Sequence, residues 1–420
     1  MQNAAFLVML SMKAILENPY KLAGLLLLSV WLVFSVCNLF CAIAGREELI
    51  EDLENETSLA GVIDEIDGYV SDEVALRQPM IETYGVMQRV MGKHELNNMD
   101  VVEDKLGFLH SGNFYAGFGD DQRKIAINFR LLNDYAAQYG TQTGVVITPM
   151  KIAPQDARYT GLPYNSFYRE ADDLLAWLRH YNVSCMDMRD LPAESGLGYE
   201  QSFYKTDHHW TTPAAFAAYC RVINWLEQSE GLKLASTDVT SDIQNYTVEN
   251  YPSLMLGSQG RDAGLYYSRG TEDFSIYYPL DNGDYVLRTR DNGEWREYSG
   301  GFRGALVRDR FEEIVRDNLL TRSCYDLSFL RGLHDEISIE NQNLPDGEKI
   351  LIICDSYSLP LGCYLAQNLG RIDMVYALGS RMDNVLEMIE ENGYDYVLAC
   401  IYPENLSVEN YRLFEDLDYA

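Results

Sequence analysis

Residues 350–358 have the sequence Ile-Leu-Ile-Ile-Cys-Asp-Ser-Tyr-Ser, an aliphatic run that ends in an Asp-Ser pair. A run this apolar predicts a strand that is covered on both faces, as strands of a parallel sheet are. Apolar sequence that suits a helix follows at 359–369, so the stretch is typical of a strand–turn–helix junction. Ligands of open α/β sheets bind at the carboxyl ends of the strands. Ser356 is therefore expected at the mouth of a crevice.

Strand and helix patterns alternate on both sides of this junction. Further strands are predicted at 144–149, 183–188, 374–378 and 394–402, and helices at 168–181, 213–228 and 383–391. This alternation predicts a three-layer α/β/α domain with a parallel sheet.

Residues 245–345 break the alternation because they are rich in Gly, Tyr and Asp. Asp281-Asn282-Gly283 and Asp291-Asn292-Gly293 are hairpin-turn signals. We therefore expect a small antiparallel insertion here, followed by a helix near 308–320.

The amino-terminal part predicts a membrane anchor. Residues 22–44 contain no charged residue, and this length is sufficient to span a bilayer. Lys13 and Lys21 precede the apolar run, so residues 1–21 are expected in the cytoplasm and the bulk of the chain outside. Ala42-Ile43-Ala44 leaves a cleaved signal peptide as the alternative. Residues 45–105 are expected to form an acidic helical stalk and linker, and 106–420 the main domain.

Composition excludes several classes of function. The 420 residues include 64 acidic and 33 basic side chains, a net charge of -31, which would repel nucleic acid and anionic membrane surfaces. The eight cysteines contain no CxxC pair, so neither a disulfide framework nor a cysteine metal site is indicated.

A second informative stretch lies at 204–213, Tyr-Lys-Thr-Asp-His-His-Trp-Thr-Thr-Pro. Thr212 and Pro213 predict a helix start, with Thr212 as N-cap and Pro213 at the first helical position. Asp207 and His209 are two residues apart and share a face if the segment is extended. A carboxylate beside an imidazole can fix its tautomer and stabilise its protonated form.

Ser356, His209 and Asp207 together can form a nucleophile, its base and the group that orients the base. The simpler interpretations are that Ser356 is an ordinary helix N-cap and that His208 and His209 have only structural roles in the loop. A metal site is the competing chemistry for two histidines and a carboxylate. Adjacent histidines point in opposite directions in an extended segment, and no further cluster completes a ligand shell. We expect neither a metal nor another cofactor.

The residues Thr206 to Thr211 and the strand that ends in Asp355-Ser356-Tyr357-Ser358 resemble those of the DHHW family. That family is similar to the SGNH-like O-acetyltransferases of the alginate acetylation machinery. The resemblance covers about residues 75–405. It implies a flavodoxin-like domain outside the cytoplasmic membrane, with Ser356 as acyl-accepting nucleophile, His209 as base and Asp207 as its orienter. Cys354 stands where many SGNH enzymes have Gly.

The resemblance further implies acetyl transfer to an exported or cell-surface polysaccharide, with a membrane-bound acyltransferase as a possible source of acetyl. Trp210, Tyr357 and His208 are the candidate substrate-binding residues beside the triad. The net charge of -31 favours a neutral glycan as acceptor. The alternative is a non-catalytic protein that keeps the fold as a scaffold for glycan binding or polysaccharide assembly. A distance between Ser356 Oγ and the His209 ring well beyond hydrogen-bond reach would favour that alternative.

Overall fold

The computed structural model describes residues 18–44, 66, 74–112, 121–151, 166–291, 293–377 and 384–414. The chain divides into two compact units, Met1–Ile81 and Glu82–Ala420. Most of the predicted cytoplasmic segment and of the acidic stalk at 46–76 lies outside the described residues.

The first unit contains helix α1, Pro19–Ala44. Its segment Pro19–Phe40 has a mean hydropathy of 2.2, and none of the 18-residue window is buried. Among the described helices this is the one that is long and apolar enough to cross a membrane, judged by length and composition. An amino-terminal signal sequence satisfies the same criterion, so both alternatives from the sequence stay open.

The strands of the described residues all belong to the second unit. Their bounds are β1 Glu95–Leu96, β2 Val101–Glu103, β3 Leu109–Ser111, β4 Gln142–Ile147, β5 Ser184–Asp187, β6 Tyr246–Met255, β7 Glu272–Pro279, β8 Tyr285–Asp291, β9 Glu294–Val307, β10 Glu336–Asn341, β11 Lys349–Cys354, β12 Arg371–Tyr376 and β13 Tyr396–Ile401.

The α-helices lie between these strands. Besides α1 their bounds are α2 Arg77–Val90, α3 Asp121–Ala136, α4 Phe167–His180, α5 Leu191–Glu194, α6 Tyr199–Ser202, α7 Thr212–Gln228, α8 Thr237–Thr240, α9 Ser258–Ala263, α10 Phe311–Asp317, α11 Cys324–Ser328, α12 Ser358–Leu365 and α13 Val385–Asn392.

The central sheet has the strand order β5-β4-β13-β11-β12-β10-β8-β9. The first five of these strands are mutually parallel. The last three add to β12 in antiparallel order. Strand β11 lies between β13 and β12, so its carboxyl end is flanked by two parallel neighbours. The predicted α/β fold with a parallel sheet is confirmed.

Alternate residues of β11 enter two separate hydrophobic cores. Ile350 and Ile352 pack into one core, which also contains the buried faces of α7 and α12. Leu351 and Ile353 pack into the other, with α3, α4 and α13. All four side chains are fully buried. The continuous aliphatic run at 350–353 therefore follows from helices that cover both faces of the sheet.

The antiparallel region differs from the expected insertion. Strands β8, β9 and β10 extend the central sheet, and only β6 and β7 pair as a separate two-stranded sheet. Strands β8 and β9 do form a hairpin at the second of the two turn signals, because Asp291 pairs with Glu294. The turn at 281–283 does not, since it links β7 and β8, which belong to different sheets. There the carbonyl of Asn282 accepts a hydrogen bond of 2.6 Å from the backbone of Phe302.

One further expectation needs correction. The N-cap of α7 is Thr211, whose side chain accepts from the backbone of Ala214, and Pro213 is the second helical residue. Proline fits either position because the first helical N–H groups have no partner within the helix. Residues 82–105, which the sequence assigned to the stalk and linker, lie in the second unit and contain the end of α2 together with β1 and β2.

Candidate active site

Ser356 lies two residues beyond the end of β11, at the start of the turn into α12. Asp355 fixes this turn: its Oδ1 accepts from the backbone of Tyr357 at 3.0 Å, and its Oδ2 accepts from the backbone of Tyr402 at 2.7 Å. Because Tyr402 follows β13, one carboxylate joins the carboxyl ends of two adjacent strands. Burial raises the pKa of Asp355 to about 6, against the effect of these hydrogen bonds.

Asp207 and His209 lie on a closed loop rather than in the extended segment that the sequence suggested. An antiparallel bridge between Phe203 and Trp210 closes this loop. Asp207 Oδ1 accepts from the backbone N–H of His209 at 2.9 Å and lies 2.5 Å from its ring Nδ1. A carboxylate that bonds the backbone two residues onward forms a local turn. The two-residue spacing thus orients the imidazole by a turn and not by a shared strand face.

The three predicted catalytic residues meet at hydrogen-bond distance. His209 Nε2 lies 2.7 Å from Ser356 Oγ, while Nδ1 lies 2.5 Å from Asp207. Asp207 and His209 are buried, whereas Ser356 keeps some exposure to solvent. Burial alone would raise the pKa of Asp207, but the neighbouring imidazoles and their hydrogen bonds lower it well below its usual range. Asp207 is therefore ionised when His209 gains a proton.

The backbone amide of Ser356 is a candidate donor to an oxyanion. Among the described residues it has no acceptor, while the next amide bonds Asp355. An amide at this position can stabilise the negative charge that develops when the serine attacks an ester.

Groups that are distant in sequence hold the aspartate side of the loop. The buried Lys151 Nζ donates to the carbonyl oxygens of Asp207 at 2.6 Å, Leu109 at 2.7 Å and Lys205 at 3.2 Å. Burial lowers the pKa of Lys151 to about 8, partly offset by nearby carboxylates. The backbone N–H of Ser258 donates to Asp207 Oδ2 at 2.8 Å. Both carboxylate oxygens of Asp207 are thus hydrogen-bonded.

Glu272 fixes the residues just before Asp207. Its carboxylate accepts from the backbone of Lys205 at 2.6 Å, and from the backbone and the hydroxyl of Thr206 at 2.7 Å each. Because Glu272 begins β7 and Ser258 begins α9, the support of the loop comes from the antiparallel region.

Aromatic rings position the imidazole of His209. The ring of Tyr325 stacks on it, with centroids 3.9 Å apart and planes at 16°. The Tyr325 hydroxyl accepts from Trp210 Nε1 at 3.1 Å and donates to the carbonyl of Ser356 at 3.2 Å. Trp210 and Tyr357 are fully buried, so neither offers a face on which a sugar could stack. Both support the site from within the core instead of contacting the cavity.

His208 is half-buried and lines the cavity in front of the triad. Its Nδ1 lies 3.3 Å from the hydroxyl of Ser258, and its ring lies 3.9 Å from that of His209. Burial, together with the charge of His209, lowers its pKa to about 3. His208 therefore remains a neutral hydrogen-bonding group near the reacting atoms. Its carbonyl accepts from the hydroxyl of Tyr357.

The cavity that contains Ser356, His208 and His209 has a volume of about 840 Å³. Its walls come from the antiparallel region and from the segment after β13. A smaller cavity of about 330 Å³ lies beside Asn341, at the end of β10 that is far from Ser356. It contains no residue of the triad.

The Asp207, His208 and His209 side chains are close enough to consider a metal ion, since one ligand atom of each lies within 4.8 Å of the others. Both ring nitrogens of His209 already face Asp207 and Ser356. An ion could use His209 only by replacing one of these two bonds. The geometry fits a catalytic triad better than a ligand shell.

Sequence reasoning missed Lys151, Ser258, Glu272 and Tyr325. Lys151 follows the predicted strand at 144–149, and Ser258 and Glu272 lie in the region 245–345 that breaks the α/β alternation. A lysine that follows a β-branched strand, and a Gly-Ser pair before a short helix, were the available signals.

Part of the chain matches a known family by sequence. Residues 119–250 match the sequence model of the SGNH hydrolase-like domain of the acetyltransferase AlgX. The matched segment includes Asp207 and His209, and Ser356 lies beyond it. No curated protein matches the chain by sequence.

The fold also matches solved structures. PatB1 of Bacillus cereus aligns with a TM-score of 0.59 and 17% identity, covering 75% of this chain and 99% of that chain. PatB1 of Bacillus cereus with a sulfonyl adduct aligns with a TM-score of 0.60 and 16% identity, covering 75% of this chain and 100% of that chain. The fold is SGNH-like. A DHHW family protein from Eubacterium siraeum aligns with a TM-score of 0.52 and 17% identity, covering 74% of this chain and 94% of that chain. The predicted resemblance of this SGNH-like chain to the DHHW and AlgX-type proteins is confirmed.

Proposed function

We propose that this SGNH-like protein is an O-acetyltransferase or acetylesterase that acts on cell-surface or exported polysaccharide through Ser356, His209 and Asp207. The observation that carries the proposal is the distance of 2.7 Å between Ser356 Oγ and His209 Nε2, with Asp207 at 2.5 Å from the other ring nitrogen. The match to an acetyltransferase domain model supports acetyl as the transferred group. A non-catalytic scaffold would need no such chain of contacts.

In the first half-reaction the hydroxyl of Ser356 attacks the carbonyl carbon of an acetyl ester. The serine proton passes to His209 Nε2, and the new C–O bond forms as the donor C–O bond breaks. The leaving alcohol takes the proton from His209. Asp207 stabilises the imidazolium because it stays ionised throughout.

In the second half-reaction a hydroxyl group attacks the acetyl-serine. His209 removes the proton of that hydroxyl and returns it to Ser356 Oγ as the acetyl–serine bond breaks. A sugar hydroxyl gives an O-acetylated glycan, and water gives acetate. The balance between the two depends on how well the cavity in front of Ser356 holds the sugar and excludes water.

The test of the triad is hydrolysis of a chromogenic acetate ester by the full-length chain in detergent. We expect Ser356→Ala and Asp207→Asn each to lower kcat by about 10³-fold or more. Ser358→Ala is the matched control, a serine two residues onward with no bond to His209, and it should keep its activity. Equal rates for wild type and Ser356→Ala would contradict the proposal. An inert wild type that is retained on a glycan column would favour the scaffold function instead.

Acetyl transfer is separated from hydrolysis by adding oligosaccharide to the same assay. Mass spectrometry of the sugar then detects an added acetyl group, and a coupled assay measures free acetate. A transferase produces acetylated sugar at the expense of acetate, whereas an esterase yields acetate alone.

Helix α1 is proposed to anchor the chain in the cell membrane, with the SGNH-like unit outside the cytoplasm. The length and apolar composition of Pro19–Phe40 support this location. A membrane-bound acyltransferase could then supply acetyl from the cytoplasmic side. The intact mass of the mature protein tests the anchor, since a cleaved signal peptide would remove α1.

A further inference from the structure

Three arginines, Arg308, Arg322 and Arg331, line the same cavity as Ser356 and His209. Arg308 and Arg331 are half-buried and Arg322 is exposed. Their presence is unexpected for a chain with 64 acidic and 33 basic residues. The wall of the cavity therefore carries positive charge within a strongly acidic protein.

None of the three guanidinium groups lies within 4.0 Å of a carboxylate in the described part of the chain. Arg331 Nη2 donates to the carbonyl of Gly304 at 2.6 Å, and Arg308 Nη2 donates to the carbonyl of Arg331 at 3.3 Å. A guanidinium group has five N–H donors, so most of this capacity is unused by the protein. Arginines elsewhere, such as Arg288 and Arg303, pair with carboxylates.

The backbone around Arg331 adopts an uncommon conformation. Leu330 has φ of 50° and Arg331 has φ of 66°, both in the left-handed region, and Gly332 follows with φ of 115°. Two consecutive non-glycine residues in this region cost free energy, which surrounding contacts must offset. The backbone N–H of Leu330 donates to Leu306 at 2.7 Å, which holds the turn against β9. Strain of this kind concentrates at functional sites, and here it sets the position of Arg331.

Little negative charge on the cavity wall opposes the arginines. Asp326 lies 3.4 Å from Arg261, so it already has a cationic partner. Glu404 is the other carboxyl of the lining, and burial raises its pKa to about 7. Asp309 is exposed, and its carboxylate is too far from the guanidinium group of Arg331 to form an ion pair, although its charge still acts on that group. The arginines are therefore available to a ligand.

We infer that Arg308 and Arg331, with Arg322 at the rim, bind a negatively charged group of the acetyl acceptor and so present its hydroxyl to Ser356. The ligand class is a glycan that carries a carboxylate or a phosphate, because guanidinium groups match the geometry of both. This inference rests on the proposed function. It reverses the preference for a neutral glycan that the net charge suggested, since local charge at the cavity differs in sign from the charge of the whole protein.

The test is calorimetric binding to full-length Ser356→Ala in detergent, which holds the acceptor without turnover. The probes are an oligomer of a hexuronic acid, the same oligomer with its carboxyl groups reduced to alcohols, and a phosphate-bearing oligosaccharide of equal length. We expect the hexuronate or the phosphate oligomer to bind at least about tenfold more tightly than the reduced one, which equals ~1.4 kcal/mol. The tighter of the two identifies the charged group. The preference should weaken at high salt because ions screen it.

Arg308→Gln and Arg331→Gln, each in the Ser356→Ala chain, should remove most of the preference, and Arg331→Lys should restore part of it. Arg303→Gln is the matched control. The two arginines have similar ring contacts: Arg303 lies 3.8 Å from the ring centroid of Tyr278, and Arg331 lies 3.7 Å from that of Tyr298. Unlike Arg331, Arg303 lies outside the cavity and pairs with Glu249. Thermal unfolding identifies any variant that fails to fold, and Arg308→Gln keeps the test valid if Arg331→Gln is lost.

Equal affinity for the charged and the reduced oligomer would overturn the inference, as would a charge preference that survives both glutamine variants. Failure of the proposed function has a different signature. In that case wild type would not hydrolyse the acetate ester, yet the binding preference and its loss in the arginine variants would stand.

Discussion

Gly257 packs directly against Asp207, the residue proposed to orient His209. A Cβ atom at this position would lie 2.1 Å from the Cβ of Asp207 and 2.5 Å from the carbonyl oxygen of Thr206. The backbone of Gly257 has an ordinary φ of -78°, so close approach and not backbone conformation requires the glycine. The triad geometry thus depends on a residue with no reacting group.

The substitution Gly257→Ala should therefore displace the Asp207 loop. A displacement of about 1 Å at a catalytic group can cost about 10²-fold in rate, and we expect a loss of that size in kcat/KM for ester hydrolysis. Gly393→Ala is the control, because its added Cβ meets no atom within 4 Å while its φ of 60° is unfavourable for alanine. It should lose about 1–2 kcal/mol of stability with unchanged activity per folded molecule. Equal losses of activity in both variants would contradict the packing argument.

Lys151 is predicted to be a positioning residue for the triad. Lys151→Met keeps the aliphatic stem but removes a buried donor from the carbonyl oxygens of Leu109 and Asp207. The carbonyl of Lys205 loses this donor too but still accepts from the backbone of Leu109. We expect the free energy of unfolding to fall by about 1–3 kcal/mol, and kcat of the folded enzyme to fall while KM for a small ester changes little. Lys205→Met, at an exposed neighbouring lysine, is the control. A lower melting temperature with unchanged kcat would show that Lys151 only stabilises the fold.

Glu404 should make stability depend on pH. Its pKa is raised from 4.5 to about 7 by burial, so the folded state keeps the proton that the unfolded state releases. Between pH 4.5 and 7 the unfolded chain binds fewer protons, and this group's contribution to stability is lost as pH rises through that window.

Thermal unfolding of wild type and Glu404→Gln across that range measures this contribution. We expect the variant to gain melting temperature relative to wild type from pH 4.5 to pH 7, with no further gain above it. Glu409→Gln, at an exposed glutamate of the same segment, is the control. A difference between Glu404→Gln and wild type that stays constant with pH would refute the assignment.

Ester hydrolysis should survive metal removal. Dialysis against a strong chelator is expected to leave kcat unchanged, because His209 uses both ring nitrogens within the triad. Added Zn²⁺ should inhibit by competing with Ser356 and Asp207 for the imidazole. Loss of activity on chelation, with recovery on adding metal, would replace the triad by a metal mechanism.

The sequence predicted the parts of the fold in which local pattern and tertiary structure agree. The aliphatic run at 350–353 is buried on both faces of the sheet, and the resulting strand lies within one residue of its predicted bounds. The helix after the histidine loop was also predicted, with its cap displaced by one residue. In these segments a few local interactions determine the structure.

The sequence could not predict contacts between distant segments. The pairing of β10 with β12 depends on which sheet edge is open, and no local signal encodes that. The cation below Asp207 comes from Lys151, and the ring beside His209 comes from Tyr325. A summed net charge also hides local clusters, such as the three arginines that line the cavity.

The supports of the histidine loop have a consequence for how the molecule can be altered. Ser258 and Glu272 belong to the region of 245–345 that interrupts the regular α/β alternation, whereas Ser356 stands on the core sheet. Removing that region to obtain a smaller domain would preserve Ser356, the proposed nucleophile, but would release His209, the proposed base, from its supports. Any engineered or evolved variant with a shorter 245–345 region must supply other hydrogen bonds to the Asp207 loop. Without them the chain would still fold but would have no correctly placed proton acceptor.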